Sequence, residues 1–418
     1  MGYDVVIVGA SLAGCSAAIH YGRAGLRVAL IERSRSMDAF KGMCGHFVLG
    51  GTRPALERLG LWDAMVARGA AVSDIALWSG SGWIQPTADV PPAISLRRRH
   101  LDPMLRQMAA STPGVDLHLG HTVTGLLQAG NSLTGVVARH EEGVRSIEAS
   151  LVVAADGHRS PVAELAGVEA KIGDNARFLY WGYYSGVRLR SPASAAVWNV
   201  DPHVAVAIPT DDGLHLLGVF ATKDRLDDFA DDKLTAVETF FAELPDGPDL
   251  SGAERASKAV GTSDYPMVRR KVNPRPGLAL IGDAATTSDP VPAVGCGWAF
   301  RSAEWLAEST IPALRGEESL RTGLKRYARS FRFIVGHDRL IRSEARGREA
   351  NPIQRALRTA ARHDEVVASR LGNFAMRAIP VSGLLNPAVI GRALVVARRG
   401  DRSQGFVTVG MRQQAERH

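Results

Sequence analysis

An α/β fold followed by a helical C-terminal region is what this chain predicts, and three features carry the expectation. The first forty residues alternate strand, helix and strand. Buried apolar runs recur at Leu151–Ala155 and near Gly277–Gly282. Between those runs lies an extended, aromatic-rich stretch. Strand–helix–strand units imply a parallel sheet, because a parallel pair needs a crossover connection. At 418 residues the chain suffices for one large domain or two to three coupled ones. Hydrophobic residues at 45% and charged residues at 22% exclude a disordered, collagenous or coiled-coil chain.

Taken in order, Tyr3–Val8 is a strand whose apolar run, Val5 to Val8, stops at Gly9. A signal peptide would place basic residues before a longer run, so export is not expected. A helix follows over about Leu12–Arg23, then the strand Arg27–Glu32. The segments 116–119, 123–128, 134–140 and 146–149 read as short strands joined by Gly or Asn-Ser turns, an antiparallel excursion from the parallel sheet. From Arg177 to residue 221 the strands lengthen and carry Phe178, Tyr180, Trp181, Tyr183, Tyr184 and Trp198. They end in Val204–Pro209 and Leu214–Phe220, joined by Thr210-Asp211-Asp212-Gly213. An acidic helix over about Leu226–Leu244 comes next, with apolar spacing at Leu234, Val237, Phe240 and Phe241. The parallel texture returns at 277–282 with a helix over about Gly295–Ser309. From Arg321 the chain is helical and Arg-rich, with breaks at Asn351-Pro352 and around Pro380. No uninterrupted run of eighteen apolar residues occurs, so no transmembrane helix is expected.

Composition narrows the chemistry. The formal charge is +7 and the pI about 9.5, yet only seven residues are lysine, so arginine carries the excess. A general preference for anions, phosphate cofactors or acidic substrates, is the reading this supports. Cys15, Cys44 and Cys296 form no C-x-x-C pair, and a reducing, cytoplasmic compartment is expected. His118 and His121 read as a solvated pair on a strand and turn, and no metal site is expected.

Three motifs carry the function. Gly9-Ala10-Ser11-Leu12-Ala13-Gly14 is a G-x-S-x-x-G variant between strand and helix. Its physics is a tight turn at Gly9, close approach to a pyrophosphate near Ser11, and close helix–strand packing at Gly14. Eighteen residues after Gly14, Glu32 ends the second strand, where a carboxylate binds a ribose diol and repels a 2′-phosphate. Far along the chain, Gly282-Asp283-Ala284-Ala285 places an aspartate at a strand tip, positioned to hold a polyol. Pro290 follows, and a helix opening at Gly295 aims a positive dipole end at a developing anion. The third motif is Asp156-Gly157-His158-Arg159-Ser160-Pro161-Val162.

In this order and at these separations the three motifs resemble the class A FAD-dependent monooxygenase superfamily, built around the p-hydroxybenzoate hydroxylase fold. Flavin halogenases and geranylgeranyl-reductase-like oxidoreductases are related to it. The resemblance covers roughly residues 3–310. It implies a Rossmann-like FAD-binding domain interwoven with a β-sheet substrate domain, plus the helical C-terminal region. The expected boundaries are 1–175 and 265–320 for the FAD-binding domain, 176–264 for the substrate domain, and 321–418 for the helices. Carried over, Gly9, Ser11, Ala13, Gly14 and Glu32 bind the ADP half of FAD, with Arg33 beside the adenosine. Asp283 holds the ribityl chain, and Asp156 and Gly157 support the pyrophosphate and its groove. Arg98, flanked by Arg97 and Arg99, takes a flavin-contacting place. Val123, Pro290 and Gly295 complete the expected cofactor-binding set. The loop Phe40 to Phe47 runs past the flavin ring, so Lys41 and His46 are the candidate catalytic residues, for anion contact and proton transfer.

The resemblance further implies a monooxygenase that takes reducing equivalents transiently from NAD(P)H and uses O₂ to hydroxylate or epoxidise a small organic, secondary-metabolite-type substrate. Two departures bear on this. Thr286 stands where hydroxylases keep a histidine, and Pro292 replaces the first glycine of a later motif, while Asp289-Pro290-Val291 looks like the halogenase and reductase branches. Halogenases, however, keep two tryptophans where this chain has Val204 and Val206, and it has no lysine between Lys41 and Lys171 to guide hypohalous acid. A halogenase is therefore the alternative, a flavin-dependent reductase or dehydrogenase another, and a redox-silent flavin-binding protein a remote third. The aromatic strands, Phe178 to Tyr184 with Trp198, are expected to line an apolar cavity over the flavin; on one strand only one alternating set can face it. Partners other than a small-molecule substrate are not expected, nucleic acid included, and the oligomeric state is not legible.

Overall fold

A computed structural model describes residues 2–80 and 82–399; residues 400–418 of the expected helical region lie outside it. The first sheet is seven-stranded. Its parallel part runs from Val115–Leu119 through β2 (Val28–Glu32) and β1 (Tyr3–Val8) to the long strand Gly143–Ala154, which also pairs in parallel with Leu278–Leu280. The helix α1 (Leu12–Arg23) crosses between β1 and β2, completing the expected β-α-β unit. Strands Thr122–Ala129 and Ser132–His140 add the antiparallel excursion.

One long strand replaces the two short ones expected around Ser146 and Leu151. Residues 143–148 pair antiparallel with Ser132–His140, and residues 149–154 pair in parallel with β1. Its first four residues are exposed, residues 147–150 alternate buried and exposed, and its last four are all buried. An antiparallel stretch with one wet face thus becomes a parallel stretch covered on both faces.

The second sheet is eight-stranded. Arg177–Ser185, His215–Thr222, His203–Pro209 and Ala195–Val200 are successive antiparallel neighbours. Ile75–Ser79 then joins Ala195–Val200 in parallel, and Gly82–Ile84 closes that edge. The sheet therefore recruits two strands from far upstream. One of its faces (Leu179, Trp181, Val204, Val206, Ile208, Leu216) belongs to the same apolar cluster as β1, α1 and β2. The opposite face (Phe178, Tyr184, Trp198, Ala205, Ala207) packs under the helix Lys233–Ala242.

The single acidic helix expected over 226–244 is two elements. A 3₁₀ turn, Lys223–Phe229, precedes an α-helix that starts only at Lys233. Asp232 sets that start: its carboxylate accepts the backbone N–H groups of Leu234 and Thr235 at 2.9 and 3.3 Å. The helix from Gly295 runs on to Leu314. C-terminal helices follow from Leu320, one restarting at Pro352 behind a capping box formed by Asn351 and Gln354. Among the described residues, no helix is long and apolar enough to cross a membrane.

Candidate active site

The turn after β1 has room for backbone alone. Gly9 has φ +104°, and a Cβ there would lie 2.5 Å from the Ala155 carbonyl oxygen. A Cβ on Gly14 would lie 1.8 Å from the carbonyl oxygen of Gly9. Both glycines let α1 close against the strand ends, with its N-terminus at the carboxyl edge of the parallel strands. Glu32 folds back to this turn, its carboxylate accepting the Ala10 N–H at 2.8 Å and the Ser34 N–H at 2.9 Å. Ala13 is buried against Gly282, where a Cβ would come within 2.9 Å of the Ala13 methyl. The first and last motifs are thus packed together. Arg33 points to solvent. Val123 is buried two residues beyond His121, whose N–H donates to the Glu32 carbonyl at 3.0 Å.

The arginine triplet separates cleanly. Arg98 is buried, donates to Ser11 Oγ at 2.8 Å, and forks onto the Asp102 carboxylate at 2.6 and 2.9 Å. Asp102 also accepts the backbone N–H of Lys41 at 3.0 Å. Arg97 instead reaches the other sheet, bonding both Asp211 at 2.8 Å and Asp212. Burial would raise the Asp211 pKa, but hydrogen bonds from Arg97 hold it far below the ordinary carboxylate range. Arg99 is the exposed member, donating to Asp212 at 2.9 Å. His100, Asp211 and Asp212 converge closely enough for a metal, but the two guanidiniums already neutralise that cluster.

Lys41 and Asp283, from opposite ends of the sequence, form an ion pair of 2.7 Å. The Asp283 charge holds the Lys41 ammonium pKa well above its ordinary value. Beyond Asp283 the chain passes the buried Arg177–Asp289 pair at 3.2 Å. Pro290 then opens a turn that closes through the Ala293 N–H onto its carbonyl at 2.9 Å. Gly295 begins the next helix, and the position its Cβ would take is open space. Asp156 serves locally: it accepts from Ser160 Oγ at 2.6 Å and from the Val162 N–H at 2.9 Å, bracing the short helix Pro161–Leu165. Gly157 beside it has φ +87°. His118 and His121 are not simply solvated: His118 packs edge-on to Tyr3, and His121 stacks on His140 with centroids 4.4 Å apart.

His46 is buried, with φ +44°. Its Nδ1 lies 3.3 Å from both the Cys44 carbonyl oxygen and the Tyr183 hydroxyl, while Nε2 is buried with no protein partner. Burial lowers the His46 pKa to about 4, so the ring is neutral at pH 7. Burial likewise pushes the Tyr183 phenol up to about 12. Cys44 Sγ sits 3.6 Å from Cys296 Sγ. Trp181 and Tyr183 face this side of the second sheet. Phe178, Tyr184 and Trp198, expected at the cavity, instead pack in the separate core beneath Lys233–Ala242, because alternate strand residues take opposite faces.

Sequence reasoning placed Lys41, His46, Asp283, Ser11 and Arg98 in one region, and these residues do meet. It missed Asp102, Asp211 and the pairing of Cys44 with Cys296. Asp102 carried a signal, since it stands four residues after Arg98 on one helix face. Nothing local announces a contact across 252 residues.

The groove fits a flavin dinucleotide on this chain's own geometry. Two glycines let α1 bring its N-terminus to the strand ends where a pyrophosphate would sit, Glu32 lies at the strand tip for a ribose, His46 Nε2 is buried without a protein partner, and the space beside the helix start at Gly295 is open. Fold and site together define a dinucleotide-binding flavoprotein. A family described as "FAD binding domain" matches residues 2–335, and the chain belongs to it, within the class A FAD-dependent monooxygenase superfamily. Kynurenine 3-monooxygenase of Anopheles gambiae is 27% identical over 329 residues, which span 73% of this chain and 66% of that enzyme, just under two thirds. Digeranylgeranylglycerophospholipid reductase 1 of Methanococcoides burtonii is 25% identical over 352 residues, 80% and 81% of the two chains. Among solved structures, a triple mutant of the flavin-dependent brominase Bmp2 superposes with a TM-score of 0.75 at 20% identity, over 95% of this chain and all of that one. The protein is an FAD-dependent oxidoreductase.

Proposed function

We propose that this flavoenzyme is a monooxygenase that receives electrons from NAD(P)H and inserts one oxygen atom of O₂ into a small apolar or aromatic substrate by hydroxylation or epoxidation. The observation carrying this reading is the apolar face of the second sheet, where Val204, Val206, Ile208, Leu216 and Trp181 join the cluster that holds β1, α1 and β2, with no pair of tryptophans at Val204 and Val206 to hold a substrate away from a flavin bound at that junction. Bound FAD would supply hydride acceptance and O₂ activation; Gly9, Ser11, Ala13, Gly14 and Glu32 would hold its ADP half, and Asp283 its ribityl chain. Arg33, Val123, Asp156 and Gly157 would border the adenosine and pyrophosphate stretch, and Pro290 and Gly295 the turn and helix start beside the ring.

The chain's own groups then have defined tasks. Arg98, ion-paired with Asp102 and bonded to Ser11, would hold a fixed guanidinium donor beside the dinucleotide. The apolar face excludes water and orients the acceptor. His46, neutral at pH 7 and with Nε2 unpartnered, is placed to accept a proton, and Lys41 to meet an anionic group. The residues divide into a cofactor-holding part (1–175 and 265–320), a substrate-facing part (176–264) and a C-terminal region (321–418). Three free thiols fit a reducing compartment such as the cytoplasm.

The second reading, a reductase acting on a carbon–carbon double bond, is favoured by the similarity to the Methanococcoides burtonii reductase along four fifths of both chains. Mixing the anaerobically reduced protein with candidate substrates, then with O₂, separates the two. Substrate-stimulated oxygen consumption supports the monooxygenase; complete flavin reoxidation by a substrate before O₂ is admitted supports the reductase.

A further inference from the structure

Two sulfur atoms meet where the loop 41–46 crosses the start of the helix Gly295–Leu314. Cys44 Sγ and Cys296 Sγ are 3.6 Å apart. Cys44 is partly exposed and Cys296 buried. Cys44 lies in a loop without regular structure, and Cys296 is the second residue of a 20-residue helix. Closing the gap to an S–S bond of about 2.05 Å takes a shift on the order of 1.5 Å, which such a loop supplies. We propose that Cys44 and Cys296 are a reversible oxidation site, a thiol pair that hydrogen peroxide converts to a disulfide tying the Lys41–His46 loop to the helix start.

The surroundings divide the labour between the two sulfurs. Either sulfur can donate in their contact, but Cys44 also accepts the backbone N–H of His46 at 3.3 Å; the contact with Cys296 and the charges of Arg98 and Lys41 hold its thiol well below the ordinary value despite burial. Cys296, buried and in contact with the Cys44 sulfur, is held above it. Cys44 is therefore the attacking thiolate. Its sulfur forms a bond to one peroxide oxygen, the O–O bond breaks, and the departing hydroxide leaves as water, giving a sulfenic acid. The Cys296 sulfur, losing its proton, then displaces the sulfenic oxygen as a second water and forms the S–S bond. Two thiols and one hydrogen peroxide thus give one disulfide and two waters. Cys15, fully buried in α1 and raised by burial, has no place in this chemistry and is an internal control.

The test uses FAD-loaded protein with the flavin oxidised and no substrate, so it is independent of the monooxygenase reading. Hydrogen peroxide is added, remaining free thiols are counted in denaturant, and non-reduced peptides are mapped by mass. The expected result is a fall from three free thiols to one, reversed by dithiothreitol, with Cys44 and Cys296 peptides linked. In Cys296→Ser the linkage is lost and a sulfenic acid on Cys44 is trapped by dimedone. Before oxidation, Cys44 should alkylate with iodoacetamide at least about tenfold faster than Cys15 at slightly acid pH. Three thiols surviving peroxide, or thiol loss in the wild-type protein with no Cys44–Cys296 linkage, overturns the proposal. So does a Cys44 that alkylates no faster than Cys15.

Discussion

At the scale of single residues, two groups in the groove make opposite demands on charge. Asp283 is held as an ion pair with Lys41 at 2.7 Å, so a polyol bound there shares its carboxylate with an ammonium. Asp283→Ala removes a charge-assisted hydrogen-bond partner, a loss of about 1.5–3 kcal/mol. FAD affinity should fall by roughly ten- to a hundredfold or more, read by titrating the folded apoprotein with FAD; an unchanged dissociation constant rejects the role. His46 works the other way, because burial favours its neutral form. Its ordinary pKa is 6.5 and its folded value about 4, so the unfolded chain binds the proton more readily. The stability it contributes is complete above pH 6.5 and is lost as pH falls toward 4. His46→Asn, which tolerates the positive φ, should flatten the decline in thermal midpoint between those two pH values. An identical acid-side slope in both proteins contradicts the burial argument. Residues of this kind were legible when the motif itself specifies the backbone, as at Gly9 and Gly14, where the structure leaves no space for a Cβ. The neutral state of His46 was not legible, since it depends on burial beneath elements remote in sequence, such as the strand that carries Tyr183.

Elements were read best where pattern and pairing agree. The β-α-β unit came through because its apolar run, glycine turn and acidic strand tip are consecutive. The strand Gly143–Ala154 was divided in two because its pattern changes midway, when one partner is antiparallel and the next parallel. The helix expected from residue 226 starts at Lys233 because the Asp232 cap ends the preceding turn. Capping also decides the Asp156 motif. Ser160 accepts from the Ala163 N–H at 3.1 Å and donates to Asp156 at 2.6 Å. Ser160→Ala loses both, and the cap alone is worth about 0.5–2 kcal/mol. Chemical denaturation should show a lower midpoint of that size with an unchanged slope; no shift means the short helix Pro161–Leu165 does not depend on this serine.

For the whole molecule, the decisive relation is between two sheets that sequence patterns describe separately. Arg97 and Arg99, at the start of the helix Arg98–Ala110, grip Asp211 and Asp212 in the second sheet's connecting turn. One face of that sheet thereby joins the apolar cluster of the first sheet, and the other forms a self-contained core. The sequence showed that the aromatic strand must split its residues between two faces, but which set faces the groove depends on where the sheet docks. Docking turns Trp181 and Tyr183, with Val204 and Val206, toward the first sheet; on the proposed function a substrate there would meet the flavin directly. Direct transfer demands near-contact, since a displacement of about 1 Å can cost on the order of a hundredfold in rate. Turnover under ¹⁸O₂ with NAD(P)H and an apolar or aromatic substrate tests this most directly. The account predicts a product carrying one labelled oxygen atom, formed equally well without chloride or bromide. A halogenated product requiring halide, or a reduced product formed without oxygen uptake, would contradict it.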